Sequence, residues 1–176
     1  MFDWREATND PCDVQVRENF LEYLNKIYLG EINDILKFVA DIAKNKRVLD
    51  IGMVQHIIEC TEHPNWKHKV INDCASYTLG IDILENEINI LKNKGYNVKC
   101  IDATSDIFIG EKFDVVYIGD VIEHVNDPSK IVEFAVRHIE DNGKIYIATC
   151  ILNFFPVLQV LLNIMKLRQI WNILVG

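Results

Sequence analysis

Arg47-Val48-Leu49-Asp50-Ile51-Gly52-Met53-Val54-Gln55-His56 is the stretch on which the reading of the fold turns. An apolar, β-rich run stops at an acid and a glycine, the pattern of a buried parallel strand entering a tight turn. The pattern recurs in Thr78-Leu79-Gly80-Ile81-Asp82, a second apolar run ending in a carboxylate. Two carboxylates at adjacent strand ends suit a ligand with a ribose diol and an amino group laid across the strand tips. Open α/β sheets bind their ligands at those carboxyl ends.

The rest of the core block supplies the sheet. A weakly patterned stretch, Met53 to Asn65, precedes a helix expected near Trp66 to Ser76. After the strand to Asp82 comes a helix carrying Leu84, Ile88 and Leu91, closed by Gly95. Val98-Lys99-Cys100-Ile101-Asp102-Ala103 reads as a third strand with a carboxylate near its end. Phe113-Asp114-Val115-Val116-Tyr117-Ile118-Gly119-Asp120 is the clearest strand in the chain. Asn126-Asp127-Pro128-Ser129 then opens a helix bearing Ile131, Val132, Ala135, Val136 and Ile139. Asn142-Gly143 turns into a fifth strand, Lys144 to Thr149. Strand and helix alternate throughout, which calls for a parallel sheet covered on both faces.

Composition bounds the function. The 176 residues are 49% hydrophobic and 25% charged, enough for one domain with a substantial core. A formal net charge of −8 argues against nucleic acid as a partner, because that binding rests on clustered Lys and Arg. A small polar or apolar acceptor fits better. Cys12, Cys60, Cys74, Cys100 and Cys150 are odd in number and contain no CxxC pair, so they read as free thiols of a reducing cytoplasm. Met1-Phe2-Asp3-Trp4-Arg5-Glu6 lacks the basic-then-apolar order of a secretory leader, and a cytoplasmic location is the expectation.

Flanking the core, Phe20, Leu21, Leu24, Ile27 and Tyr28 recur at helical spacing, with Asp13 upstream as a cap. A second helix reads from Glu31, with Ile32, Ile35, Leu36, Val39, Ile42 and Ala43 on one face. The pair either packs on the sheet or forms a lid over the ligand. At the other end, Ile151 to Gly176 is apolar, contains no acid and carries only Lys166 and Arg168. Three readings compete there: a helix and partial strand covering the sheet edge, a homodimer interface or shortened chain, and a membrane-surface anchor. The organisation expected is an N-terminal helical segment over 1–45, a core over 46–150 and an apolar segment over 151–176, one domain overall.

Four features taken together resemble the class I S-adenosylmethionine-dependent methyltransferase family: the acid of VLDIG, the acid of LGIDI, the acid of CIDA, and FDVVYIGDVIEHVNDP before a helix and NGKIYIAT. The resemblance covers roughly residues 46 to 150 and implies a Rossmann-like sheet of about five parallel strands with S-adenosylmethionine as cofactor. Within the family the resemblance is to small bacterial methyltransferases, including ones associated with glycan or lipid-linked acceptors. By resemblance, Asp50 orients the first loop and the cofactor's amino group, and Gly52 brings backbone amides to its methionyl end. Asp82 accepts from the ribose hydroxyls, with Ile83 beside it. Asp102 and the backbone of Ala103 meet the adenine edge, and Gly119 and Asp120 face the sulfonium and acceptor. An oxygen acceptor needs a base, for which His124 has a suitable ordinary pKa, with Asp120 and Glu123 as rivals. The plainer readings are capping or surface charge for the three acids, and packing beneath the Asn126-Asp127-Pro128 turn for His124. Metal ligation by Glu123, His124 and a histidine of the 56–68 region has no supporting spacing, so no metal is expected.

Two departures stand out. The family turn reads acid-x-Gly-x-Gly-x-Gly, whereas Val54 and His56 occupy the second and third glycine positions here. Only 27 residues, 150–176, follow the fifth strand, where the family adds an antiparallel hairpin, so some or all of that hairpin is expected to be missing. The leading function is methyl transfer to a small-molecule or glycan-type acceptor, at oxygen. The alternatives are an inactive cofactor-binding homologue that acts as a regulatory or interaction partner, and a nucleotide-sugar or NAD-dependent Rossmann enzyme, disfavoured because Asp50 precedes the first glycine and no GxGxxG follows the strand.

Overall fold

The computed structural model describes residues 32–54 and 58–149. The chain divides into two compact units, Met1–Ile32 and Asn33–Gly176, and every described residue but Ile32 lies in the second. The expected helix over Phe20–Tyr28, His56, and the apolar segment from Ile151 onward lie outside the described residues.

Asp34 starts the first described helix, α1 (Ile35–Ala43), because its side chain accepts a hydrogen bond from the Lys37 N–H at 2.9 Å. That cap corrects the expected start at Glu31. Ile32 falls before the cap, Ile35 sits in the first turn, and both are exposed, whereas Val39 and Ala43 are buried. There follow β1 (Arg47–Ile51), a 3-10 turn over Ile58–Glu62, α2 (Lys67–Cys74), β2 (Tyr77–Asp82) and α3 (Glu85–Asn93). The chain continues through β3 (Val98–Cys100), β4 (Phe113–Gly119), a 3-10 turn over Ile122–His124, α4 (Pro128–His138) and β5 (Ile139–Ala148). Acids in the first turn of α3 (Glu85, Glu87) and Lys92 in its last turn suit the helix dipole. Pro128 opens α4 behind Asp127, which accepts from the Ser129 N–H.

The five strands form one sheet in the order β3-β2-β1-β4-β5, every described pairing parallel. This is the Rossmann-like α/β architecture expected from the alternation of strands and helices. Register pairs such as Asp50↔Gly80 and Asp50↔Tyr117 assign the two faces by the period of two. Val48, Val115, Tyr117 and Tyr146 share one face with Val39 and Ala43 of α1 and Ile71 of α2. Leu49, Ile51, Val116, Ile118, Ile145 and Ile147 alternate with them and are buried on the other face, which α4 covers with Ile131, Val132, Phe134 and Ala135. Each such side chain contributes roughly 1.5–3 kcal/mol by leaving water, so this two-sided cover holds the strand ends in place.

Two strand boundaries differ from the sequence reading. β3 stops at Cys100, so Asp102 lies in the loop after the strand, although the Ile101 N–H still reaches the Asp82 carbonyl at 2.9 Å. β5 begins at Ile139, and between the pairs Phe113↔Ile139 and Val115↔Lys144 it takes three more residues than β4. Asn142-Gly143 lies in that irregularity, so the turn residues serve a bulge within the strand. No described helix is long and apolar enough to cross a membrane.

Candidate active site

The strand order reverses direction between β1 and β4, the crevice where open α/β sheets take ligands. A cleft of about 420 Å³ lies there, within the roughly 300–1,000 Å³ usual for small-molecule sites. Its wall is built from the end of β1 (Ile51, Gly52), the end of β2 (Asp82, Ile83, Leu84), the loop after β3 (Ile101 to Thr104) and the end of β4 (Gly119, Asp120, Val121). His124, Val125 and Ile131 of α4 close the remaining side. Of the ten residues named from the sequence, Glu123 is not among those lining this cleft, whereas Gly52, Asp82, Ile83, Asp102, Ala103, Gly119, Asp120 and His124 line it.

Asp50 does not, which corrects the picture of carboxylates side by side in the groove. It is 2% exposed, and its Oδ2 accepts a hydrogen bond from the His68 Nδ1–H at 2.8 Å. His68, on α2, is 1% exposed and has an Nε2 with no hydrogen-bond partner among the described residues. The imidazole fits because Gly80 lies beside it; a Cβ at Gly80 would come within 2.6 Å of His68 Cε1. A glycine inside an apolar strand marks such a close approach, and that was the available signal for His68.

The first loop takes its own course. Gly52 has φ +75° and donates from its N–H to the Ile81 carbonyl at 2.8 Å. A Cβ there would stand 1.9 Å from Val121 Cγ2, so only glycine lets this backbone meet the chain leaving β4. Val54, in a usual glycine position, is fully buried with Met53, Trp66, Ile88, Leu91 and Val98 and does not enter the cleft. The Trp66 indole N–H donates to the Met53 carbonyl at 2.6 Å, and the Val54 N–H donates to Asp82 Oδ2 at 3.1 Å. Asp82 Oδ1 accepts from the Leu84 N–H at 3.2 Å. One carboxylate thus ties the first loop to the second, and each of its oxygens retains a second lone pair.

Asp102 Oδ1 accepts from both the N–H and the hydroxyl of Thr104, each at 2.7 Å. The hydroxyl first, then the backbone N–H, holds the Asp102 carboxyl below the usual carboxylate range. Capping and cleft lining therefore coexist at Asp82 and Asp102. Across the cleft, Asp120 has φ +55°, a left-handed conformation that Asp tolerates better than most residues. Its Oδ2 accepts from Lys67 Nζ at 2.6 Å, a pair the sequence reading missed because Lys67 and Asp120 are distant in the chain. Tyr117, one residue pair deeper in β4, has a buried hydroxyl; burial first, then the Asp50 and Asp120 carboxylates, push its pKa well up, so it remains a neutral phenol. The His124 N–H closes the 3-10 turn on the Val121 carbonyl at 2.9 Å, and this turn places His124 on the cleft wall.

The model of a methyltransferase domain matches residues 20–172, most of the sequence. The chain belongs to the methyltransferase-domain family. The resemblance to class I S-adenosylmethionine-dependent methyltransferases holds at the level of family and fold. Among curated relatives of this methyltransferase-domain chain is the ubiquinone biosynthesis O-methyltransferase of Coxiella burnetii, 26% identical over 126 residues. The match covers 68% of this chain and 50% of that protein. The enzyme of the same name from Aromatoleum aromaticum is 25% identical over 125 residues, covering 67% and 50%. The chain thus spans about half the length of the curated relatives it matches. Among solved structures, a TehB-like SAM-dependent methyltransferase from Corynebacterium glutamicum superposes with a TM-score of 0.59 at 15% identity, covering 85% of this chain and 82% of that one. The plantazolicin methyltransferase BpumL, solved with a monoazolic desmethylPZN analog and SAH, gives 0.56 at 17% identity over 89% and 72%. Both likenesses are of fold.

Proposed function

We propose that the cleft binds S-adenosylmethionine and that the chain transfers its methyl group to an oxygen of a small-molecule or glycan-type acceptor. The observation that carries this reading is the convergence of Asp82, Asp102 and the Gly52 turn on one cleft at the strand-order reversal. Oxygen is favoured because the curated relatives bear the name O-methyltransferase.

The residues present fit the cofactor. Asp82 has acceptor capacity for the ribose diol while it anchors Val54 and Leu84. Asp102 would accept from the exocyclic amine of adenine through Oδ2, since both Thr104 bonds fall on Oδ1, and the Ala103 backbone would meet the ring edge. Ile83, 66% exposed, would gain apolar cover from the adenosine. Gly52 and Gly119 would let backbone approach the methionyl end. Asp50, sealed against His68, would act through the loop it underlies and not by contact.

The sulfonium supplies an electrophilic methyl group when bound, and the chain's task is alignment, exclusion of water and handling of the acceptor's proton. His124 is the base in this scheme, taking the proton of the acceptor hydroxyl at an imidazole nitrogen. Asp120 Oδ2 is engaged by Lys67, which makes Asp120 the lesser choice for that proton and a better element of positioning.

Methyl-labelled S-adenosylmethionine offered with phenolic and glycan acceptors tests the scheme. Label on an acceptor oxygen supports it. Tight cofactor binding with no transfer to any acceptor would favour the inactive homologue, and no cofactor binding would remove the reading.

A further inference from the structure

The adenine-side wall of the cleft is a loop, and a buried histidine from α4 holds it. His138, the last residue of α4, is fully buried. Its Nδ1 lies 2.7 Å from the Phe134 carbonyl, and its Nε2 lies 2.9 Å from the Ile109 backbone N. A carbonyl only accepts and a backbone N–H only donates, so these two bonds define one state: Nδ1 carries the proton and Nε2 offers a lone pair. The ring is also sandwiched, stacked on Phe108 at 5.1 Å and tilted against Phe134 at 4.2 Å. Beside it, Arg137 donates to the Ser105 carbonyl at 2.7 Å and pairs with Asp106 at 3.7 Å. The end of α4 therefore grips three points of the loop whose first residues, Ile101 to Thr104, line the cleft.

We propose that neutral His138 is a positioning residue that latches the loop of residues 101–110 as a wall of the cleft, and that its protonation releases the latch. A proton on Nε2 would set one donor against another at Ile109 and leave that amide without its acceptor. The charged groups around His138 do not stabilise a cation. Arg137 on its own helix opposes one, and the sheet face beneath α4 presents apolar Val116, Ile118, Ile145 and Ile147. On the loop, Asp102 is held by Thr104, Glu111 is paired with Arg47, and Asp106 is drawn to Arg137. Burial, the largest cause, then pushes the His138 pKa below its ordinary value, partly offset by the Phe134 carbonyl. The sign follows: because the folded pKa is lowered, the latch is fully present above the ordinary histidine pKa of about 6.5 and is lost as pH falls through the folded value.

The first test does not depend on the identity of the ligand. Amide hydrogen-exchange protection at Ile109, corrected for intrinsic exchange, is measured in the ligand-free protein from about pH 8 to about pH 5, with His138→Gln as reference. Gln keeps an acceptor and does not titrate in this range. Wild-type protection should fall by up to about tenfold per pH unit below the folded pKa, while His138→Gln stays flat. Parallel profiles for the two proteins would overturn the latch. The second readout rests on the S-adenosyl reading of the cleft. Affinity for S-adenosylhomocysteine should fall about tenfold over the same range in wild type, be flat in His138→Gln and be low throughout in His138→Phe. A wild-type affinity that follows the His138→Gln profile while Ile109 loses protection would overturn the wall and spare the latch. If wild type does not bind the probe at any pH, the S-adenosyl reading fails and the Ile109 profiles alone decide.

Discussion

Asp50 and Asp82 belong to neighbouring strands and lie on the same face of the sheet, but they occupy different chemistry. Asp50 is level with Gly80 in the register, so β2 carries its carboxylate two residues further, about 7 Å at the usual rise. At the depth of Asp50 the face is roofed by α2, and the acid finds His68. At the depth of Asp82 the roof has ended, and the acid meets two loop N–H groups and the cleft. Identical residue types at what read as equivalent strand ends thus divide into a buried brace and a half-buried acceptor that faces the cleft. Depth along the strand makes the difference.

Removing the brace should cost the most. His68→Ala leaves the Asp50 carboxylate buried without its donor, and urea denaturation should show a loss of about 3–5 kcal/mol. A loss below about 1 kcal/mol would mean that Asp50 has another route to solvent or to a proton. On the cleft side, His124→Ala should lower methyl transfer by about 100-fold or more while affinity for S-adenosylhomocysteine stays within about twofold. Equal loss of binding and turnover would return His124 to a structural role. Asp102→Ala should weaken the same ligand by about tenfold, because one charge-assisted hydrogen bond is removed from a site with apolar cover. The smallest effect belongs to Lys67→Met. Its partly exposed ion pair with Asp120 should contribute under about 1 kcal/mol to stability, so any clear rise in acceptor KM would report on the position of Asp120.

The sheet was legible because its determinants are local: apolar runs of strand length, helix caps at Asp127 and Gly95, and strict alternation of elements. The membership of Asp82, Asp102, Gly119, Asp120 and His124 in one cleft followed from their place at strand ends or in the loops that follow them. What escaped the sequence was pairing at a distance. Asp50 with His68, Lys67 with Asp120 and His138 with Ile109 each join different elements, and nothing in either partner's neighbours announces the other. The bulge in β5 escaped for a related reason, since Asn142-Gly143 has turn chemistry whether it links two elements or kinks one. Val54 shows the converse. It stands where the family turn has a glycine, and the loop turns so that its side chain joins the core beside Trp66.

Asp82 is the carboxylate that both fastens the first loop and faces the cleft. Calorimetric titration of S-adenosylhomocysteine into the wild type and Asp82→Ala, with far-UV circular dichroism to confirm that both are folded, tests its role directly. The prediction is wild-type binding and a loss of about 100-fold or more in the variant, since hydrogen bonds to a charged acceptor contribute about 1.5–3 kcal/mol each. Equal affinity in two folded proteins would contradict the assignment of this cleft as the S-adenosyl site.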